Sequence, residues 1–96
     1  DIYTRMEVMI ERSDAFVIFP GGAGTVQEML ALMIFQQQQN PHVIGKPVVV
    51  FNRLDRSGKR FWTPLIEMLH ASCGTQAFVV VDELGQIVPA IREAMR

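Results

Sequence analysis

Three continuous apolar runs punctuate the chain, and each has the length of a β-strand. They occupy residues 15–19, 47–51 and 76–81. Apolar runs without polar alternation are typical of parallel strands that are covered on both faces of the sheet. The runs start roughly thirty residues apart, which is the length of a unit of two parallel strands and a crossover helix. The pattern therefore predicts a parallel sheet.

Helical periodicity fills the segments between these runs. It predicts an amphipathic helix over residues 2–12 and a second helix from residue 26 to about 38, which is apolar almost all round. The pair Thr63-Pro64 predicts an N-cap and the start of a third helix, and a last helix is expected near the end of the chain. The second helix should be deeply buried or packed against a second subunit, because it has little polar surface.

Together these elements predict an α/β fold with a doubly wound, Rossmann-like parallel sheet of three strands and flanking helices. Three strands is few for this class, and the first helical pattern already includes Asp1. We therefore expect residues 1–96 to form a single partial domain whose sheet continues upstream in a longer protein. The polar residues 52–60 predict a long loop after the second strand.

A glycine-rich segment joins the first strand to the second helix, and residues 20–28 read PGGAGTVQE. The spacing matches neither the dinucleotide-binding pattern G-x-G-x-x-G nor a Walker loop, since no Gly-Lys-Ser/Thr follows. Gly21, Gly22 and Gly24 allow positive φ and close approach of the backbone, and Thr25 can cap the helix and offer a hydroxyl. Free amides at a helix N-terminus attract anions, so the segment predicts a site for a phosphorylated ligand.

Glu28 follows Thr25 by three residues, and this spacing fits two interpretations. In a capping box, Glu28 returns a hydrogen bond to the backbone of Thr25. In a catalytic site, its carboxylate stabilises developing positive charge and activates water. Arg5 on the first helix is, from the residues alone, best explained as a solvated surface charge, and its functional alternative is a guanidinium that pairs with a phosphate.

The composition of the chain excludes several classes of binding partner. The formal charge of −1 argues against a basic surface for nucleic acid or for an anionic membrane. No apolar stretch approaches the roughly 18 residues of a membrane span and no signal peptide opens the sequence, so we expect a cytoplasmic protein without either partner. The single Cys73 cannot form an internal disulfide, and His42 and His70 have no partner at metal-ligand spacing. We therefore expect no metal and no cofactor.

The block PGGxGTxxE at residues 20–28, preceded by Arg5, Met9 and the residues Ser-Asp-Ala-Phe at 13–16, resembles the signature of the LOG family, whose members are often mislabelled lysine decarboxylases. Further similarity is spread along the chain, at Lys46-Pro47-Val48, Asn52, Gly58 and Phe61-Trp62. The resemblance covers most of the chain and matches the carboxyl-terminal part of the family's domain.

Family members are nucleoside 5′-monophosphate phosphoribohydrolases, so the resemblance implies hydrolysis of the N-glycosidic bond to free base and ribose 5-phosphate. It also implies a homodimer with active sites near the subunit interface. By position, it implies that Glu28 and Arg5 form the catalytic pair, and it favours the catalytic interpretation of Glu28. The residues that would hold the 5′-phosphate are Gly21, Gly22, Gly24 and Thr25.

Three questions stay open at this point. Met6 and Ile34 stand where many relatives have lysine and threonine, so the substrate is either a cytokinin ribotide or a purine or pyrimidine nucleotide. A non-catalytic protein that binds a nucleotide or the molybdenum cofactor is the alternative from another class, because function belongs to the site and not to the fold. A third interpretation is an inactive half-domain that lacks the strands needed to complete its pocket.

Overall fold

The computed structural model describes residues 2–74 and 77–95, and the side chains of residues 2, 3 and 73 lie outside the described part. The elements are α1 (Ile2–Arg12), β1 (Phe16–Ile18), α2 (Ala23–Gln37), β2 (Val48–Phe51), α3 (Thr63–Cys73), β3 (Val79–Val81) and α4 (Ile87–Ala94). A short 3-10 helix over Leu84–Gln86 precedes α4.

The three strands form one parallel sheet in the order β1-β2-β3. Phe16 lies opposite Val48, and Val49 lies opposite Val79. Every residue of the central strand β2 is buried, which agrees with an uninterrupted apolar run. The α/β prediction with a three-stranded parallel sheet and flanking helices is therefore confirmed.

Two apolar clusters lie on the opposite faces of this sheet, because successive side chains of a strand alternate in direction. The smaller cluster forms where α4 packs, around Val49, Phe51, Val81 and Ile87. The larger cluster consists of Ile10, Phe16, Ile18, Met29, Leu32, Met33, Val43, Val48, Val50, Trp62, Ile66, Leu69 and Phe78. Residues of α1, α2 and α3 therefore share one face, and α4 covers the other.

The strands are shorter than the apolar runs predicted. β2 begins one residue later than expected because Pro47 has no N–H to donate, although its carbonyl accepts the Phe16 N–H at 2.8 Å. β1 ends before Phe19, which turns outward and is 48% exposed. The predicted third strand starts at Gln76, which lies outside the described residues, and the described strand starts at Val79.

The helix that follows β2 also starts differently from its prediction. Trp62 occupies the N-cap position of α3, and Thr63 is the first helical residue with Pro64 beside it. No side-chain hydrogen bond caps this end of the helix. The Thr63 hydroxyl instead accepts a hydrogen bond from the Asn52 side chain at 3.0 Å. The prediction of Thr63 as N-cap is therefore wrong, because Thr63 is already the first helical residue and Trp62 precedes it at the N-cap.

Residues 53–61 fold into a hairpin where a long loop was predicted. Leu54 and Arg60 form an antiparallel bridge, and Phe61 N–H donates to the Arg53 carbonyl at 3.1 Å. Gly58 makes the turn possible with a φ of 83°, a region that residues with a side chain rarely adopt. Within the described part of the chain, no helix has the length and apolar character needed to cross a membrane.

Candidate functional site

The glycine-rich segment lies at the carboxyl end of β1 and leads directly into α2. Gly22 is the N-cap residue of α2 and has extended backbone angles. Val26 is the first residue whose N–H reaches back along the helix, to the Gly22 carbonyl at 3.1 Å. Helix geometry leaves the preceding amides of Ala23, Gly24 and Thr25 without intrahelical acceptors. These amides and the positive end of the helix dipole therefore meet at one place.

The glycines of this segment matter because they have no side chains, and not because of their backbone conformation. None of Gly21, Gly22 and Gly24 has a positive φ, so the left-handed conformations that the sequence allowed are not used. A Cβ on Gly21 would overlap the Thr25 hydroxyl, whereas a Cβ on Gly22 or Gly24 would meet nothing within 4 Å. Gly21 therefore permits close packing against Thr25, and the surface beside Gly22 and Gly24 is open.

The structure rules out a capping box between Thr25 and Glu28. α2 begins at Ala23, three residues before the predicted start, so Thr25 lies inside the helix and is not its N-cap. Glu28 consequently lies in the second turn and not in the first. The capping-box interpretation of Glu28 is therefore wrong, and so is the expectation that Thr25 caps the helix.

Glu28 faces a small cavity of about 190 Å³ between α1, β1 and α2. Its other lining residues are Met9, Ser13, Ala15, Phe16, Val17, Ile18 and Leu32. Ser13 Oγ donates to the Met9 carbonyl at 2.6 Å, so its hydroxyl proton is already engaged. Among the described lining residues, Glu28 is the one ionisable group. A carboxylate that lines this cavity can act on a polar group that enters it.

Arg5 lies near this cavity without lining it. Met9 follows Arg5 by one helical turn, so the two side chains share a face of α1, and Met9 lines the cavity that Glu28 faces. Both Arg5 and Glu28 are exposed, and no ion pair joins these two described residues. The structure thus places them on neighbouring elements but does not bring their charges into contact.

A larger groove of about 760 Å³ lies between α1 and α2, and Ala23 is one of its lining residues. Its walls are mostly apolar and include Met6, Ile10, Val26, Leu30, Ile34 and Phe35. Ile34 is 50% exposed, whereas Met29 on the same helix is fully buried. α2 therefore buries one face in the core and presents a second apolar face to the groove.

Most of the aromatic and ionisable residues noted in the sequence take part in packing or in pairing with neighbouring side chains. Trp62 is buried in the larger cluster, and its ring packs edge-on against the half-exposed Phe61 at 4.7 Å. The His42 Nε2 lies 3.8 Å from a carboxylate oxygen of Glu11, and His70 stacks on Phe78. No group of three His, Cys, Asp or Glu residues within the described chain could hold a metal ion. The Cys73 side chain lies outside the described residues.

Asn52 is the buried polar residue whose role the sequence did not reveal. Its side chain is 4% exposed at the end of β2. The Oδ1 atom accepts the Trp62 N–H at 2.6 Å, and Nδ2 donates to the Thr63 hydroxyl. Asn52 thus joins the two ends of the 53–61 hairpin. The available signal was one asparagine at the boundary between an apolar run and a charged segment.

Two curated relatives resemble the chain at low to moderate identity. A rice (Oryza sativa subsp. japonica) protein named "Probable cytokinin riboside 5'-monophosphate phosphoribohydrolase LOG4" is 27% identical over 97 residues, which cover 98% of this chain and 41% of the relative. The Arabidopsis thaliana protein "Probable cytokinin riboside 5'-monophosphate phosphoribohydrolase LOG6" is 38% identical over 52 residues, which cover 54% of this chain and 24% of that relative. The chain therefore spans less than half the length of either protein.

No solved structure matches the chain significantly. The family model described as "Possible lysine decarboxylase" matches residues 1–95, which is nearly the whole sequence. Lysine decarboxylase is the name often given in error to members of the LOG family, whose signature the motif at residues 20–28 resembles. The chain therefore belongs to the LOG, or possible lysine decarboxylase, family.

Proposed function

We propose that this chain forms part of a nucleoside 5′-monophosphate phosphoribohydrolase, which hydrolyses the N-glycosidic bond to free base and ribose 5-phosphate. The observation that carries the proposal is the open N-terminus of α2 with Glu28 one turn further along, facing a cavity. The names of the rice and Arabidopsis relatives support the same class of reaction. In this proposal, residues 1–96 belong to one nucleotide-binding domain.

The phosphate would bind where the amides of Ala23, Gly24 and Thr25 converge. An anion there is stabilised by hydrogen bonds from the amides and by the helix dipole, and no lysine is required. Gly21, Gly22 and Gly24 keep side chains away from this surface, and the Thr25 hydroxyl adds a donor.

Glu28 would act on the ribose carbon that carries the base. As the C1′–N bond breaks, positive charge develops on the sugar, and a nearby carboxylate stabilises it. The same carboxylate can orient the attacking water, whose oxygen bonds to C1′ while one of its protons ends on the departing base. Arg5 would pair with the phosphate or contact the leaving base, since a guanidinium donates several hydrogen bonds in a fixed plane.

A second copy of the chain is our candidate for the groove between α1 and α2. The groove is lined mostly by apolar side chains, and the half-exposed Ile34 is one of them. Covering such a surface is favourable because apolar area leaves water. Ala23 also lines the groove, so a homodimer formed there would place its interface next to the phosphate site. A cytoplasmic location stays a prediction, consistent with a nucleotide substrate.

The test measures ribose 5-phosphate released from AMP, GMP, CMP and a cytokinin riboside monophosphate, using this chain and the natural protein that carries it. Glu28→Gln should retain the fold and lose at least a hundredfold in turnover, the scale expected for a positioned acid or base. Glu67→Gln is the matched control, because Glu67 is an exposed glutamate on α3. Full turnover by Glu28→Gln would remove Glu28 from the mechanism, and nucleotide binding without turnover in the wild type would indicate a carrier.

A further inference from the structure

The positive charge of this chain is concentrated in the 53–61 hairpin. Four of the nine Lys and Arg residues fall within it, together with one carboxylate, that of Asp55. The hairpin therefore carries a formal charge of +3, while the remaining sequence carries −4. The overall charge of −1 conceals this asymmetry, which creates a local positive potential on a slightly acidic protein.

The hairpin is held by its own hydrogen bonds. Asp55 Oδ1 accepts from the Ser57 hydroxyl at 2.6 Å and from the backbone N–H groups of Ser57 and Lys59 at 2.9 Å each. These bonds, led by the one from the Ser57 hydroxyl, lower the pKa of Asp55 below its ordinary value. The Asp55 carboxylate is therefore ionised and engaged inside the turn at neutral pH. Its negative charge offsets one of the four positive charges of the hairpin, which leaves the formal charge of +3.

The base of the hairpin is fixed to the sheet at two points. The buried Asn52 side chain binds the Trp62 amide and the Thr63 hydroxyl. On the other side, an Arg60 guanidinium nitrogen lies 3.0 Å from an Asp82 carboxylate oxygen just after β3. The cations of the hairpin are therefore carried on a folded support, and binding an anion there needs less ordering than on a free loop.

Not all of these cations are neutralised. Arg60 is paired with Asp82, and the charge of Arg53 acts on the nearby Asp55 carboxylate without forming an ion pair with it. Arg56 and Lys59 form no ion pair with a described carboxylate, and Arg53, Arg56 and Lys59 are all exposed. Arg53 and Arg56 line a cavity of about 620 Å³ together with Leu54, Asp55 and Ser57. Arginine can donate paired hydrogen bonds to the oxygens of a phosphate group, so two arginines that line one cavity suit such a ligand.

The hairpin lies at the same edge of the sheet as the glycine-rich segment. The glycine segment follows β1 and the hairpin follows β2, and these neighbouring parallel strands both point to that edge. The ring of Phe19, the first residue after β1, and the ring of Phe51, the last residue of β2, are in edge-to-face contact, with their centroids 5.8 Å apart. In doubly wound sheets, ligands bind in the crevice beyond the carboxyl ends of the strands.

We propose that Arg53 and Arg56 form a second phosphate subsite, and that the chain binds nucleotides that carry more than one phosphate group. The nucleotide part of this inference rests on the proposed function, in which the N-terminus of α2 takes one phosphate. A nucleoside monophosphate has no further phosphate to offer the hairpin, whereas a diphosphate or bisphosphate has. The second group belongs either to the same molecule or to a separate phosphate-bearing anion.

Calorimetric titration of the natural protein with AMP, ADP and pyrophosphate tests the subsite without requiring turnover. ADP should bind about tenfold more tightly than AMP, which corresponds to about 1.4 kcal/mol. The double variant Arg53→Gln/Arg56→Gln should remove this preference and leave AMP affinity within about twofold of wild type. Arg12→Gln/Arg92→Gln, which removes two exposed arginines from α1 and α4, is the matched control and should keep the preference.

The outcomes separate the two proposals. Equal affinity for AMP and ADP, together with no arginine-dependent binding of pyrophosphate, overturns the subsite even if AMP is hydrolysed. Arginine-dependent ADP preference without hydrolysis of any monophosphate supports the subsite and overturns the hydrolase. Pyrophosphate that binds through the arginines alongside both AMP and ADP identifies a separate anion, whereas pyrophosphate that binds alongside AMP but competes with ADP identifies one molecule spanning both sites. Preference for a single-stranded oligonucleotide over ADP overturns the ligand class.

Discussion

Gly24→Ala should stabilise the fold and weaken phosphate binding, so stability and function should move in opposite directions. Gly24 is the second residue of α2, has a negative φ, and would carry its Cβ into open space. Alanine in a helix is favoured over glycine by roughly 0.5–1 kcal/mol, because glycine loses more backbone freedom on folding. For a domain of this size, that gain raises the melting temperature by about 2–8 °C.

The functional loss has a separate origin. The added methyl group stands on the open surface where the amides of Ala23, Gly24 and Thr25 lack intrahelical acceptors. A phosphate needs close approach to those amides, so a methyl group at Gly24 should raise KM for a nucleoside monophosphate by roughly tenfold or more, the factor for about 1.4 kcal/mol. The charge and the dipole of the site do not change.

Gly21→Ala is the matched control, because it makes the same chemical change three residues earlier with a different steric result. A Cβ on Gly21 would overlap the Thr25 hydroxyl and lie 3.0 Å from Thr25 Cβ. Overpacking of this kind costs about 1–3 kcal/mol, so Gly21→Ala should lower stability.

Urea unfolding measures both stabilities, and titration with AMP measures the site. If the slope of the unfolding free energy against urea concentration is the same in all variants, a shift of the unfolding midpoint reports a change in stability. If Gly24→Ala binds AMP as tightly as the wild type, the open amides do not form the phosphate site. If Gly24→Ala is destabilised while Gly21→Ala is not, the packing at the start of α2 is misassigned.

Two further predictions concern the hairpin. Asn52→Ala should destabilise the protein by about 2–4 kcal/mol in urea unfolding, because it leaves the buried Trp62 amide without an acceptor and removes a bond to Thr63; a loss below about 0.5 kcal/mol would contradict the clamp. The lowered pKa of Asp55 means that its carboxylate stabilises the hairpin above its ordinary pKa of 3.8, and that this stabilisation is lost as pH falls through the lowered value. In the wild type, the amide chemical shift of Ser57 should change with pH as Asp55 is protonated. The same pH response in Asp55→Asn would refute the role of Asp55.

The sheet was predictable because its signal is strong and local. Uninterrupted apolar runs at the spacing of crossover units leave few alternatives to a parallel sheet. The start of α2 was not predictable to the residue, because Gly22, Ala23 and Gly24 have the composition of a loop and glycine is a weak helix former. That difference of three residues removed the capping-box interpretation of Glu28, since a capping box requires Thr25 to be the non-helical residue that directly precedes the helix.

The hairpin and the Asn52 clamp show a different limit. Residues 53–61 contain little apolar periodicity, so charge and a glycine predicted an open loop. Its pairing comes from turn chemistry, in which the Asp55 side chain replaces a backbone acceptor, and from an anchor to Asp82 that is distant in sequence. The glycine segment and the position of Glu28 in the family motif were visible from sequence, whereas the cavity that Glu28 faces depends on how α1 packs against β1.

The proposed catalytic, phosphate-binding and interface roles belong to different parts of α2. Glu28 and Leu32 line the small cavity, whereas Leu30 and Ile34 line the groove, and at 3.6 residues per turn these pairs point to largely opposite sides. The phosphate amides lie at the end of the helix, and Ala23 borders the groove. A second copy seated in the groove would therefore contact the helix beside the phosphate site and away from Glu28. Dimer formation should then change KM for the nucleotide more than kcat, because the partner orders the part of the site that binds phosphate in both the ground state and the transition state.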